Sequence, residues 1–98
     1  MLTRIVKMTF REEEADTFLA IFTKSAEHIR AFPGCEFLAL HRDVDKREVF
    51  FTYSRWKDAE ALEAYRHSDL FQQTWASTKI LFAARPEAWS LGLIASLP

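Results

Sequence analysis

The sequence predicts an α+β domain, a four-stranded antiparallel sheet with its helices packed on one face. Three observations predict it. Segments with two-residue and 3.6-residue apolar periods follow one another in the order β-α-β-β-α-α-β. With 98 residues, the chain has room for one core, and a domain of that size buries roughly two-thirds of its unfolded surface. Residues 49–56, VFFTYSRW, carry large side chains on both faces: Val49, Phe51 and Tyr53 on one, Phe50 and Trp56 on the other. A one-sided antiparallel strand alternates apolar with polar, so each face of this strand needs a cover. The helix that follows supplies one. In so short a chain, the other is expected from a second copy of the protein.

The first strand spans residues 2–10, with Leu2, Val6, Met8 and Phe10 on one face and Thr3, Lys7 and Thr9 on the other. Arg4 and Ile5 break the pattern on their respective faces. Thr9 and Glu12 have the spacing of a capping box, and three successive glutamates suit the positive end of a helix. Ala15, Phe18, Leu19, Phe22, Ala26 and Ile29 then form a single helical stripe, predicting a helix to about Phe32. Pro33-Gly34 stops it. The second strand covers residues 35–42, with Cys35, Phe37, Ala39 and His41 sharing a parity. The polar stretch DVDKR lacks an Asn-Gly or Asp-Gly pair, which predicts a hairpin loop of about three to five residues. The third strand covers residues 48–56.

Asp58 is placed to cap a short helix with Ala59, Leu62 and Tyr65 inward. His67-Ser68 interrupts it. Ser68 caps a second segment whose Phe71, Thr74, Trp75, Thr78 and Phe82 keep helical spacing, and Pro86 lies past its end. Residues 87–95 form the last strand. Two βαβ units joined by a hairpin give a ferredoxin-like sandwich. Its helix-free face would expose Val49, Phe51 and Tyr53, a patch that soluble monomers seldom tolerate. A homodimer through the open sheet face, closing a barrel-like interface, is therefore expected.

Composition narrows the function. Thirteen basic and fourteen acidic residues give a net charge of −1 and are interspersed, so the clustered positive footprint that nucleic acid requires is missing. No apolar run approaches the length of a membrane span, and the N-terminus alternates like a strand rather than a signal peptide. A single cysteine excludes an internal disulfide and argues for a reducing, cytoplasmic setting. Nine Phe, three Trp and two Tyr are many for one small core and point to a shared core or an aromatic-lined cavity. The three histidines lie on different elements without metal-ligand spacing, so no metal site is expected.

Pro33-Gly34-Cys35, followed by Phe51-x-x-x-Arg55-Trp56-x-Asp58-x-x-x-Leu62-x-x-Tyr65-x-x-Ser68-x-x-Phe71, resembles the antibiotic biosynthesis monooxygenase family of dimeric α+β barrel proteins. The resemblance implies a pocket between sheet and helices in each subunit. For the oxygenases it implies chemistry without metal or flavin, in which an electron-rich aromatic or quinol substrate is deprotonated and its anion reacts with oxygen. It also implies that Thr52, four positions before Trp56, occupies the place of a polar residue that binds the substrate oxygen. Haem-degrading relatives carry a tryptophan where this chain has Tyr65 and an iron-ligating histidine where it has Trp75, so haem is disfavoured.

The candidate site follows from strand parity. If the face bearing Trp56 looks at the helices, then Thr52, Ser54 and Trp56 line the pocket, with Phe18 and Phe22 from the first helix. Tyr65 lies on the inner stripe of the short helix. His67, at the helix break, and His41, if its parity faces inward, are the candidate bases because imidazole titrates near neutrality. The plainer alternative makes Trp56 a core anchor, Thr52 a strand former and the histidines surface groups. Three functions are compatible with one fold: a cofactor-independent monooxygenase, a non-catalytic binder of a small hydrophobic molecule, or a proton-transfer isomerase.

Overall fold

The computed structural model describes all residues 1–98. Its elements are β1 (Leu2–Thr9), a 3₁₀ turn (Glu12–Glu14), α1 (Ala15–Arg30), β2 (Cys35–Arg42), β3 (Val49–Trp56), α2 (Ala59–Arg66), α3 (Asp69–Lys79) and β4 (Glu87–Gly92). The four strands form one antiparallel sheet in the order β2-β3-β1-β4, and this is the expected ferredoxin-like α+β architecture.

Register decides which side chains meet the helices. Leu2, Arg4, Val6 and Met8 stand opposite Trp56, Ser54, Thr52 and Phe50. These residues share the helix-facing side, because side chains of an antiparallel pair alternate together. There Met8, Phe10, Phe18, Phe50 and Leu81 form the main buried cluster, and Cys35, Trp56 and Leu62 form a second. Arg42, on the Phe50 rung, lays its guanidinium 4.5 Å from the Phe50 ring centroid. Two of its nitrogens have no hydrogen-bond partner, so the π face is what offsets that charge.

Two caps form as the sequence predicts. Asp58 Oδ1 accepts from the Ala61 N–H at 2.8 Å, and Ser68 Oγ accepts from the Phe71 N–H at 3.1 Å. The Ser68 hydroxyl also donates to the Tyr65 carbonyl at 2.6 Å, which locks the corner between α2 and α3. Gly34, in the turn between the Ala31 C-cap of α1 and β2, has φ of 91°, a left-handed conformation that glycine adopts without a Cβ penalty. A Cβ there would collide with Ala61 of α2, so the same glycine lets α2 approach the sheet.

Other expectations are corrected. The Thr9–Glu12 capping box does not form. The first turn is 3₁₀ with no side-chain cap, and Phe10 leaves β1 to bridge Phe82. The helix α1 ends at Arg30 rather than Phe32, and β4 ends at Gly92 rather than residue 95. The loop between β2 and β3 covers residues 43–48, longer than expected. Asp43 Oδ1 organises it by accepting the Asp45 and Lys46 N–H groups at 2.8 and 3.0 Å, which also holds its carboxyl below the usual range. Finally, Cys35 and Phe37 do not share a face. A register shift between them inserts an extra residue, as a β-bulge does. Cys35 then joins Trp56 in the core, and Phe37, Ala39 and His41 turn to the helix-free side.

That side carries Phe37, Phe51, Tyr53, Ile5, Trp89 and Leu91, by their pairing across the sheet. Trp89 and Leu91 are 42% and 45% exposed. Phe37 packs edge-on against Tyr53 at 5.8 Å, with Arg55 over the Phe37 ring.

Candidate functional site

Between the helix-facing side of the sheet and the three helices lies a cavity of about 370 Å³, within the size range of small-molecule sites. Its floor is the sheet, with Thr52, Ser54 and Trp56 from β3 and Arg4 and Val6 from β1. The helices supply Phe18 and Phe22 from α1, Tyr65 and Arg66 from α2, and Phe71 and Trp75 from α3.

The rings form a continuous belt. Trp56 stacks on Tyr65 with centroids 5.0 Å apart and planes 27° apart. Tyr65 meets Phe71 edge-on at 5.2 Å, Phe71 stacks on Trp75 at 5.8 Å, and Trp75 touches Phe82 at 5.5 Å. Phe82 leads through Phe10 to Phe18 and Phe22. Offset and edge-to-face pairs of this kind are mutually favourable, and Phe18, Phe22 and Trp56 stand in the walls of the cavity rather than filling it.

Few polar atoms reach this space. Ser54 Oγ accepts from Trp56 Nε1 at 3.0 Å and lies 3.4 Å from the Arg4 carbonyl, so its first duty is to hold the indole. The hydroxyls of Thr52 and Tyr65 bond to no protein group. Burial, with a smaller contribution from Cys35, pushes the Tyr65 phenol up to about 12. It is therefore protonated near neutrality and acts as a donor, not as a base. The Cys35 thiol is also pushed up, mainly by burial, and lies 3.7 Å from the Phe37 carbonyl. It remains a thiol and a packing group.

Thr52, Ser54, Trp56, Phe18, Phe22 and Tyr65 are thus brought together, whereas the two candidate imidazoles are not. The bulge after Cys35 sends His41 to the opposite face of the sheet, where it is exposed beside Phe51. His67 also points away: its Nδ1 donates to the Glu63 carbonyl at 2.9 Å and lies 3.3 Å from the Glu63 carboxylate, with a side chain 73% exposed. No histidine, aspartate or glutamate lines the cavity, and no group of three or more such residues and cysteine converges anywhere in the chain. Sequence reasoning overlooked Arg4 and Arg66 as wall residues. The signal was present for Arg4, a charge among Leu2, Val6 and Met8.

Residues 1–77 match the sequence profile described as antibiotic biosynthesis monooxygenase. The chain belongs to the antibiotic biosynthesis monooxygenase family. Solved structures share the fold of this family member across nearly its whole length. An antibiotic biosynthesis monooxygenase is 19% identical with a TM-score of 0.91, covering 97% of this chain and 100% of its own. A variant of SnoaB, a cofactor-independent oxygenase from Streptomyces nogalater, is 20% identical with a TM-score of 0.88, covering 99% and 96%. A protein from Methanosarcina mazei Go1 is 18% identical with a TM-score of 0.86, covering 93% and 91%. Comparison with curated protein sequences gives no match.

Proposed function

We propose that this family member is a cofactor-independent monooxygenase of a small aromatic or quinol-like substrate, working as a homodimer. The observation that carries the reading is the cavity itself: an aromatic belt around about 370 Å³, into which protonated hydroxyls project and no carboxylate or imidazole does. Planar electron-rich rings fit between stacked aromatic walls. A binding wall of donors without a base favours the anionic form of a bound phenol or enol over its neutral form.

The substrate hydroxyl loses its proton to water at the cavity mouth. Its anion is held by the Tyr65 hydroxyl, with the Thr52 hydroxyl as a second donor. The electron-rich ring carbon passes an electron to dioxygen, and the radical pair collapses to a carbon–oxygen bond, giving a peroxide. The peroxide takes a proton back from water, and loss of water, with the hydrogen of the same ring carbon, leaves a carbonyl. One oxygen atom stays on the product, and the other departs as water with two substrate hydrogens. Trp56 and Phe71 exclude bulk water from the intermediate. SnoaB, which has this fold, is described as a cofactor-independent oxygenase, and that supports the reading.

The helix-free sheet face supports the dimer. Phe37, Phe51, Tyr53, Trp89 and Leu91 lie together there, and Leu93, Ile94 and Leu97 beyond β4 are 62%, 97% and 90% exposed. Apolar surface of this extent marks an association site.

The test is oxygen uptake with anthrone or a naphthalenediol, using isotopically labelled dioxygen. One labelled atom in the product, with one dioxygen consumed per turnover, supports the oxygenase. A ligand that raises Tm with no oxygen consumed would establish the binder instead. Exchange of substrate protons under anaerobic conditions would establish the isomerase.

A further inference from the structure

Arg4 and Arg66 have no place in the chemistry above, yet both line the cavity. Arg4 sits at the centre of the sheet, on the rung Ser90–Arg4–Ser54–Leu38, with apolar Leu2 and Val6 on either side of it on the same face. Its one side-chain hydrogen bond is from Nη1 to the Ser90 hydroxyl, at 2.9 Å. Serine carries no charge, so this guanidinium is half-buried without a counter-ion in contact. Arg66 approaches from the end of α2. The only carboxylate near either is Glu63, 3.3 Å from Arg66 Nη1, and that same carboxylate is shared with His67 at 3.3 Å. Two cations therefore line the cavity, and the one carboxylate near them is in contact with Arg66 and His67, not with Arg4. Burial and then the repulsion from Arg66 push the Arg4 guanidinium below its ordinary value, and Glu63 offsets this only in part.

A guanidinium in an apolar setting is costly unless paired. It is also a rigid planar fork that matches a carboxylate through two parallel N–H···O bonds. We propose that the cavity selects aromatic substrates carrying a carboxylate, which Arg4 grips on the sheet floor while Arg66 closes over it from α2. The aromatic body then lies along the belt from Trp56 to Trp75, and the charged end fixes which ring carbon faces the Thr52 and Tyr65 hydroxyls. The inference rests on the reading of this cavity as the substrate site, but not on oxygen chemistry.

Calorimetry with 2-naphthoate and its uncharged counterpart 2-naphthamide tests it. The native protein is expected to bind the carboxylate at least ~10-fold more tightly than the amide at low salt. Arg4→Met and Arg66→Gln should each bring the two ligands to within about threefold of one another. A urea midpoint and a Tyr/Trp near-UV spectrum like those of the native protein show that the variant cavities are intact. Arg4→Lys should recover part of the preference, because charge returns without the fork. Equal affinity for both ligands in the native protein, a preference that survives both substitutions, or binding of neither ligand would overturn the proposal. A native protein that prefers the carboxylate but consumes no oxygen with any quinol keeps this inference and removes the oxygenase. Oxygen uptake with equal affinities does the reverse.

Discussion

Replacing Tyr65 with phenylalanine removes one hydroxyl and leaves the ring stacked on Trp56 at 5.0 Å. The structure dictates how that change depends on pH. In the folded protein the phenol is held at about 12, against about 10 in an unfolded chain. A group whose folded value is raised contributes fully below its unfolded value and loses that contribution as pH climbs towards the folded one. At pH 8 both states are protonated, so the native protein and Tyr65→Phe differ by a constant. At pH 11 the unfolded native chain has ionised and the folded one largely has not, which costs the native protein about 1 kcal/mol relative to the variant. At pH 12 the loss reaches about 2 kcal/mol. Urea unfolding of both proteins from pH 8 to 12 measures the difference directly, since every other titrating group cancels. A stability difference that stays flat across this range would mean that Tyr65 is wet, and its role as a buried donor would fall with it. Activity provides the second readout. Losing a hydrogen bond to a developing oxyanion costs about 1.5–3 kcal/mol, so kcat/KM should drop roughly 10- to 150-fold at pH 7 with no loss of fold.

Ser54→Ala leaves Trp56 Nε1 as a buried donor without its 3.0 Å acceptor, and should destabilise by about 1–3 kcal/mol in urea unfolding. Gly34→Ala forces a side chain into φ of 91° and against Ala61. The left-handed conformation costs about 1–2 kcal/mol and overpacking about 1–3 kcal/mol, visible as a lower urea midpoint. Tyr53→Glu places a charge in the middle of the helix-free face, and light scattering should then report half the native particle mass; an unchanged mass removes that face as the dimer interface.

How much of this was legible depended on whether a local pattern reported a local event. The α1 stripe and the Asp58 and Ser68 caps are short-range signals, and each appears in the structure where the residues place it, whereas α1 ends at Arg30, before the Pro33-Gly34 pair. The parity of β3 was equally direct, since Phe50 and Trp56 differ from Phe51 and Tyr53 by position alone. From it came Thr52, Ser54 and Trp56 as cavity walls. The bulge after Cys35 was not legible, because a single unpaired residue leaves no mark on an otherwise apolar strand and inverts every side chain downstream of it relative to Cys35. That inversion is why His41 was open to either face. The direction of His67 was set by Glu63, one turn earlier on α2, a pairing visible in the spacing but overlooked beside the lure of a neutral-pH base. Arg4 was visible as a break in alternation. What it broke into, a cavity rather than solvent, depends on the packing of α2 and α3, which no single strand encodes.

The absence of a titratable base from the cavity walls bears on how oxygen chemistry proceeds in such a site. A general base contributes by taking a proton at the moment of reaction. Hydrogen-bond donors contribute earlier, by lowering the free energy of the anion before oxygen arrives. For a phenol or enol already acidic enough to ionise in water, the second route suffices, since the reactive species is the anion itself and the slow event is its encounter with oxygen. A buried imidazole would then be a liability, because its cationic form would hand the proton back inside a space that excludes water. The walls present instead a phenol raised to about 12 and so protonated at neutral pH, and a Thr52 hydroxyl that bonds to no protein group. In the proposed oxygenase these groups favour a negative guest and none reprotonates it at neutral pH, so environment there takes over the task that a catalytic base performs by transfer.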